Sequence, residues 1–146
     1  MKKEEKAIEY FRNKFNCSQA VFTVFATEYG ISENEGPKIA CGFGGGMARQ
    51  QSTCGAVTGA LMALGLKYGK GSEDPEERKT ATYMKVKEFL AEFAEHNGSI
   101  ICRELLQGLE MNNPADHNKI IDLRLFDTLC EKYVADSVKI TEKLIM

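Results

Sequence analysis

The chain has 146 residues, 43% of them hydrophobic, with 19 basic residues against 21 acidic ones and a formal net charge of −2. That length fits one domain able to bury roughly two thirds of its unfolded surface. The balanced charge, with no stripe of Lys and Arg interleaved with aromatics, excludes nucleic acid as a partner.

Ala7, Ile8, Phe11 and Phe15 recur at helical spacing and predict an amphipathic helix over 4–14. Asn16 interrupts it. Asn16 or Ser18 then caps a second helix running to about Tyr29, apolar at Ala20, Val21, Val24 and Phe25 and stopped by Gly30. A short helical turn is predicted over 37–41, with Pro37 at a first helical position. Next comes a loop with almost no side chains, Gly42 and Gly44 to Gly46. There the backbone is free to take positive φ or to approach another group closely.

Thr53 is the expected N-cap of a helix that opens at Cys54 and ends near Tyr68. Gly55, Gly59 and Ala63 form a smooth stripe along it, while Leu61, Met62, Leu64 and Leu66 make the other faces apolar. A helix apolar nearly all round is either a buried central helix or a membrane span. Its apolar run is far shorter than the roughly 20 residues a bilayer needs, so no membrane insertion is expected. The stripe fits packing within one chain or across a homodimer.

Asp74 as N-cap and Pro75 at the first position start a long helix, striped by Tyr83, Val86, Phe89, Leu90 and Phe93 and ended by Asn97-Gly98. Ser99 begins a short helix to Gln107 with Cys102 in its first turn. The segment 111–126 is ambiguous: Pro114 breaks it early, yet Ile120, Ile121, Leu123, Leu125 and Phe126 all call for burial. Asp127 or Thr128 caps a last helix through Ile145, with Cys130 in its first turn. No stretch alternates with period two. The expected fold is all-α: a single-domain bundle, spanning 1–146, of about five to seven helices around a buried Gly/Ala-rich central helix.

Glu4, Glu5 and Glu9 and the lack of an apolar signal core place the chain in the cytoplasm. Five cysteines there read as reduced thiols used for metal binding or redox chemistry. Four of them, Cys17, Cys54, Cys102 and Cys130, each fall in the first turn of a separate predicted helix. A helix N-terminus presents unpaired N–H groups and roughly half a positive charge, which favours thiolates. Thiolates ligate iron or zinc, and they also attack disulfides. The spacings are long, with no Cys-x-x-Cys pair, and buried inert thiols fit them equally well. The glycine loop lacks the preceding strand and the lysine of a phosphate loop. Its N–H groups, with Gly44, Gly45, Gly46 and Gly55 as cofactor-binding candidates, instead suit an approach to the Cys54 sulfur or a bound cluster. Arg49 reads as a solvated loop residue or as a positive charge at the rim. His96 suits the C-terminal end of a helix, and His117 reads as an exposed loop residue beside Asp116.

The run Asn16-Cys17-Ser18-Gln19-Ala20-Val21, then Gly42-Phe43-Gly44-Gly45-Gly46-Met47, Thr53-Cys54-Gly55-Ala56-Val57-Thr58-Gly59-Ala60, Cys102-Arg103-Glu104-Leu105-Leu106 and a late Cys130 together resemble the C_GCAxxG_C_C family of redox-active proteins. The resemblance covers nearly the whole chain. It implies that the four shared cysteines are Cys17, Cys54, Cys102 and Cys130, with Cys41 outside the pattern. It also implies a genomic association with transporter systems, and kinship with a domain of split-Soret cytochromes whose four-cysteine site is taken to hold an iron–sulfur cluster. The haem part does not carry over, because the chain has no Cys-x-x-Cys-His.

The leading expectation is a redox protein whose four cysteines bind an iron–sulfur cluster, of the [2Fe-2S] type, for electron transfer with a partner protein. One alternative is a cofactor-free thiol–disulfide protein or sensor with Cys54 as the activated thiol and Cys17 as its partner. The other is a structural zinc module closed by the four thiolates.

Overall fold

The computed structural model describes residues 1–146 and contains eight α-helices: α1 (Lys3–Asn13), α2 (Cys17–Ala26), α3 (Glu35–Ala40), α4 (Gly55–Tyr68), α5 (Glu77–Asn97), α6 (Cys102–Leu105), α7 (Pro114–Asp122) and α8 (Glu131–Ile145). Asn16 starts α2 with a complete capping box. Its Oδ1 accepts the Gln19 N–H and its own N–H donates to Gln19 Oε1, both at 2.9 Å. Gly30, at φ 83°, ends the short 3₁₀ turn over Thr27–Tyr29 that continues α2.

One core of 20 buried residues is shared by α1, α2, α4, α5 and α8. Its centre is α4, which packs against α2, α5 and α8. The stripe of small residues faces α2 of the same chain. A Cβ on Gly59 would stand 2.7 Å from the Ser18 carbonyl oxygen and 3.2 Å from Val21 Cβ, and one on Gly55 would overlap Cys17 Sγ. The two helix backbones therefore meet along the stripe, which settles its use within the chain. No helix is long and apolar enough to cross a membrane.

A second cluster, Cys102, Leu106, Ile120 and Leu125, joins α6 to α7. The ambiguous segment thus becomes a helix, one more than the sequence led us to expect. Asn113 caps it by accepting the Asp116 N–H at 3.0 Å, and Pro114 stands at its first position rather than breaking it. Only part of its apolar set is buried: Ile121 and Leu123 are 52% and 59% exposed.

Five helix starts differ from expectation. Pro37 is the third residue of α3, which begins at Glu35, and α8 begins at Glu131 behind a π-helical turn over Phe126–Cys130, without a cap at Asp127 or Thr128. Thr53 does not cap α4; it pairs with Ile101 in an antiparallel bridge, and Cys54 takes the N-cap place. Asp74 closes a turn by accepting the Gly71 N–H at 2.7 Å, so α5 begins at Glu77. The helix expected over 99–107 shrinks to Cys102–Leu105, because the N–H groups of Cys102 and Arg103 donate to the carbonyls of Ser52 and Gln51 at 2.7 and 3.2 Å.

Gly59→Ala tests the stripe. Overpacking against the α2 backbone costs about 1–3 kcal/mol, against roughly 1 kcal/mol that Ala gains over Gly inside a helix. The variant should show a lower urea midpoint than the parent. An equal or higher midpoint would mean that α2 and α4 separate without loss.

Candidate functional site

Cys17, Cys54, Cys102 and Cys130 line one cavity of about 260 Å³, together with apolar walls from Phe11, Leu105, Leu106 and Phe126. Four different pieces of chain deliver the thiols. Cys17 is the first residue of α2, Cys54 the N-cap of α4 and Cys102 the first residue of α6. Cys130 ends a π-helical turn, Phe126–Cys130, that runs straight into α8. It therefore lies inside a continuous helical stretch, and not in a free first turn. All five thiols are unpaired, and the exposed Cys41 is outside the cavity lining.

Cys54 and Cys102 are locked in register by the bridge between Thr53 and Ile101. The Cys54 N–H donates to the Ile100 carbonyl at 2.8 Å and the Cys102 N–H to the Ser52 carbonyl at 2.7 Å. Because side chains alternate across such a pairing, both cysteines project to the face opposite Thr53 and Ile101. Gly55 lets Cys17 reach them, since its missing side chain leaves the room that Cys17 Sγ occupies.

The glycine loop forms the cavity's outer wall. Gly45, Gly46, Met47, Ala48 and Arg49 all hold positive φ, the last three at 69°, 50° and 63°. A left-handed turn of this kind costs non-glycine residues roughly 1–2 kcal/mol each. It is held by N–H donation from Ala48 to the Gly42 carbonyl at 3.0 Å and from Ser52 to that of Gly46 at 2.9 Å. Gln51, only 3% exposed, ties this wall to the opposite one: its Nε2 donates to the Leu109 carbonyl at 2.9 Å and its Oε1 accepts the Met111 N–H at 2.7 Å. Of the four glycines expected to bind a cofactor, Gly45 and Gly55 line the cavity. Gly44 and Gly46 lie outside the lining and are needed for space, beside the Asn16 side chain and the Gln51 backbone.

His117 and Arg49 also line the cavity. His117 is not the exposed loop residue expected: it is half-buried on α7, its ring 6.2 Å from that of Phe126. The Asn113-Pro114 helix start is the signal in the sequence that could have put it there. Nothing in the sequence marks Gln51. His96 ends α5 as expected, its Nδ1 2.8 Å from the Glu92 carbonyl.

Burial outweighs the helix N-termini in the thiols' electrostatics. It pushes the Cys17 thiol up, although the N–H groups of Gly45, Ser18 and Gly55 pull it down. Cys54 is raised well above the usual thiol range by burial and then by Cys17, against the N–H groups of Ala56 and Val57. Cys102 is pushed up to about 12 by burial and then by Cys17. Cys130 is raised by burial and by Cys17 and Cys102. The expected easing of ionisation at four helix ends is thus reversed, because desolvating a thiolate costs more than a few peptide dipoles return. Cys54 in this state is the reverse of an activated nucleophile. No three His, Cys, Asp or Glu side chains stand close enough to share one ion as they are placed.

A family model described as "Putative redox-active protein (C_GCAxxG_C_C)" matches residues 15–144. A protein of Archaeoglobus fulgidus, described only as uncharacterized, is 30% identical over 129 residues, covering 84% of this chain and 85% of that protein. No solved structure matches the chain.

Two outcomes follow from the geometry. Ala48→Gly relieves one left-handed residue and should stabilise the fold by about 1 kcal/mol, read from urea unfolding; a loss of stability would show that the turn is unstrained. The second concerns pH. Folded thiols held above the unfolded value of about 8.5 keep protons that the unfolded chain releases. Their contribution is complete below about pH 8.5 and disappears as pH rises toward about 12, the Cys102 value. Tyr10 and Tyr133, raised to about 12 mainly by burial, act in the same direction at the alkaline end. Stability of the free-thiol protein should fall steadily from pH 8 to 10.5, and a flat profile would contradict the shifts.

Proposed function

The chain belongs to the C_GCAxxG_C_C family of redox-active proteins, and we propose that its four cavity cysteines hold an iron–sulfur cluster, of the [2Fe-2S] type, in an electron-transfer protein of the cytoplasm. The observation that carries this reading is that thiols from four separate elements wall one cavity. A single zinc closed by four thiolates needs every sulfur about 2.3 Å from one ion. The cavity is many times the roughly 30 Å³ share of one water, which suits a polyatomic group better.

The donor set fits such a group. Burial raises all four thiols, and Cys54, Cys102 and Cys130 are raised further by neighbouring cysteines, so the set ionises together only when a cation compensates it. A bound cluster would supply one-electron exchange. The protein's own part is to hold Cys17, Cys54, Cys102 and Cys130 around the space, to aim the N–H groups of Gly45 and Gly55 at Cys17, and to exclude water with Phe11, Leu106 and Phe126. Hydrogen bonds to thiolate sulfur raise a cluster's potential. The electrons would pass to and from a partner redox protein.

Protein purified without oxygen should contain iron and sulfide in similar amounts and absorb visible light. Serine at Cys17, Cys54, Cys102 or Cys130 should remove most of the iron, and Cys41→Ser should keep it. Zinc alone, or iron undiminished in Cys54→Ser, would overturn the assignment.

A further inference from the structure

Of the five arginines, four are in ion pairs: Arg12 with Glu131, Arg78 with Asp74, Arg103 with Glu110 and Arg124 with Asp127. Arg49 has no such partner, and its guanidinium donates no hydrogen bond within the chain. It is also the arginine that lines the four-cysteine cavity. Its backbone is pinned from two sides, with the N–H donating to the Gly44 carbonyl at 3.3 Å and the carbonyl accepting Asn112 Nδ2 at 2.9 Å. Its stem lies across Gly45 so closely that a Cβ there would stand 2.9 Å from Arg49 Cγ. A strained backbone thus holds a free cation at the cavity.

The other polar groups of the lining match it. They are His117, Asn16 and Tyr133, the last with its hydroxyl already donating to the Leu105 carbonyl at 2.8 Å, and no Asp or Glu lines the cavity although the chain carries 21 of them. The rest of the lining is mostly apolar or sulfur, including Met111, Leu106 and Phe126. An unpaired guanidinium offers a planar fork of donors that fits an oxygen-bearing anion in two parallel hydrogen bonds. In a cavity without carboxylates, that anion has to come from outside the chain.

We infer that Arg49 and His117 form an anion-binding mouth on the four-cysteine cavity, which takes a small molecule through its carboxylate or other oxyanion group. The inference rests on the redox reading only in taking the cavity as a redox site; the anion is a ligand at its mouth, and no electron transfer to it is proposed. Recognition itself depends on Arg49, its strained turn and the absence of competing carboxylates.

Titration calorimetry tests it on the full chain purified without oxygen, with inorganic phosphate and succinate as separate probes and iron content measured on the same samples. At least one probe should bind saturably at one site; which of the two binds separates an inorganic oxyanion from a carboxylate. Arg49→Gln should weaken binding about tenfold or more, the scale of losing a charge-assisted hydrogen bond. Arg49→Gly should do the same while its loop adopts positive φ without strain, so loss of fold is not the cause. Arg49→Lys should retain part of the affinity. Arg103→Gln, whose partner Glu110 is outside the lining, should change it little. Arg49-dependent binding in protein that carries no iron supports the mouth and removes the cluster. Iron-bearing protein that binds neither probe, or binds equally with Gly at position 49, overturns the mouth and leaves the cluster standing.

Discussion

The site depends on the close approach of α2 to α4, which the absence of side chains at Gly55 and Gly59 permits. With Gly59 against the Ser18 carbonyl and Gly55 against Cys17 Sγ, the start of one helix is pressed onto the start of the other. Two cysteines far apart in the chain, Cys17 and Cys54, then share a wall. The bridge between Thr53 and Ile101 brings in Cys102, and the π-helical turn ahead of α8 brings in Cys130. Each contact is made by backbone or by the lack of a side chain, so the sulfurs are left facing inward with no other duty.

Such a cavity sets two electrostatic effects against each other. Peptide N–H groups at the starts of α2 and α4 favour thiolate, while the apolar enclosure and the neighbouring sulfurs oppose it, and the enclosure prevails. Burial therefore keeps the free thiols protonated in the cavity. A metal centre would change the balance, because its positive charge is what four buried sulfurs need in order to ionise together. The strain kept in Met47, Ala48 and Arg49 belongs to the same arrangement. Residues in such conformations persist where surrounding contacts over-determine them, and here Gln51 clamps the turn to the chain around Met111.

Much of this was legible beforehand where one residue type has one strong local use. Asn16 or Ser18 reads as a helix start, Asn97-Gly98 as a helix end, and the Gly55, Gly59, Ala63 spacing as a close helix contact. The four cysteines stood out because each lay near a helix start. In the sequence Pro114 reads as a breaker, which leaves His117 in a loop, whereas after the cap Asn113 it starts a helix. Cys130 was placed in a free first turn because an irregular π-turn has no residue signature that distinguishes it from the helix it joins. Gln51 gave no sign, since its partners Leu109 and Met111 are backbone groups about sixty residues away.

The sequence alone determined the all-helical class, the central glycine-striped helix and the set of four thiols. Those follow from periodicity, caps and residue chemistry, which act within a few residues of chain. Only the tertiary structure decided that the stripe packs against α2 of the same chain, that the thiols face one cavity and are held protonated there, and that His117 and an unpaired Arg49 share its wall. Desolvation, like-charge repulsion and ion pairing depend on what lies nearby in space, and local sequence does not specify that neighbourhood.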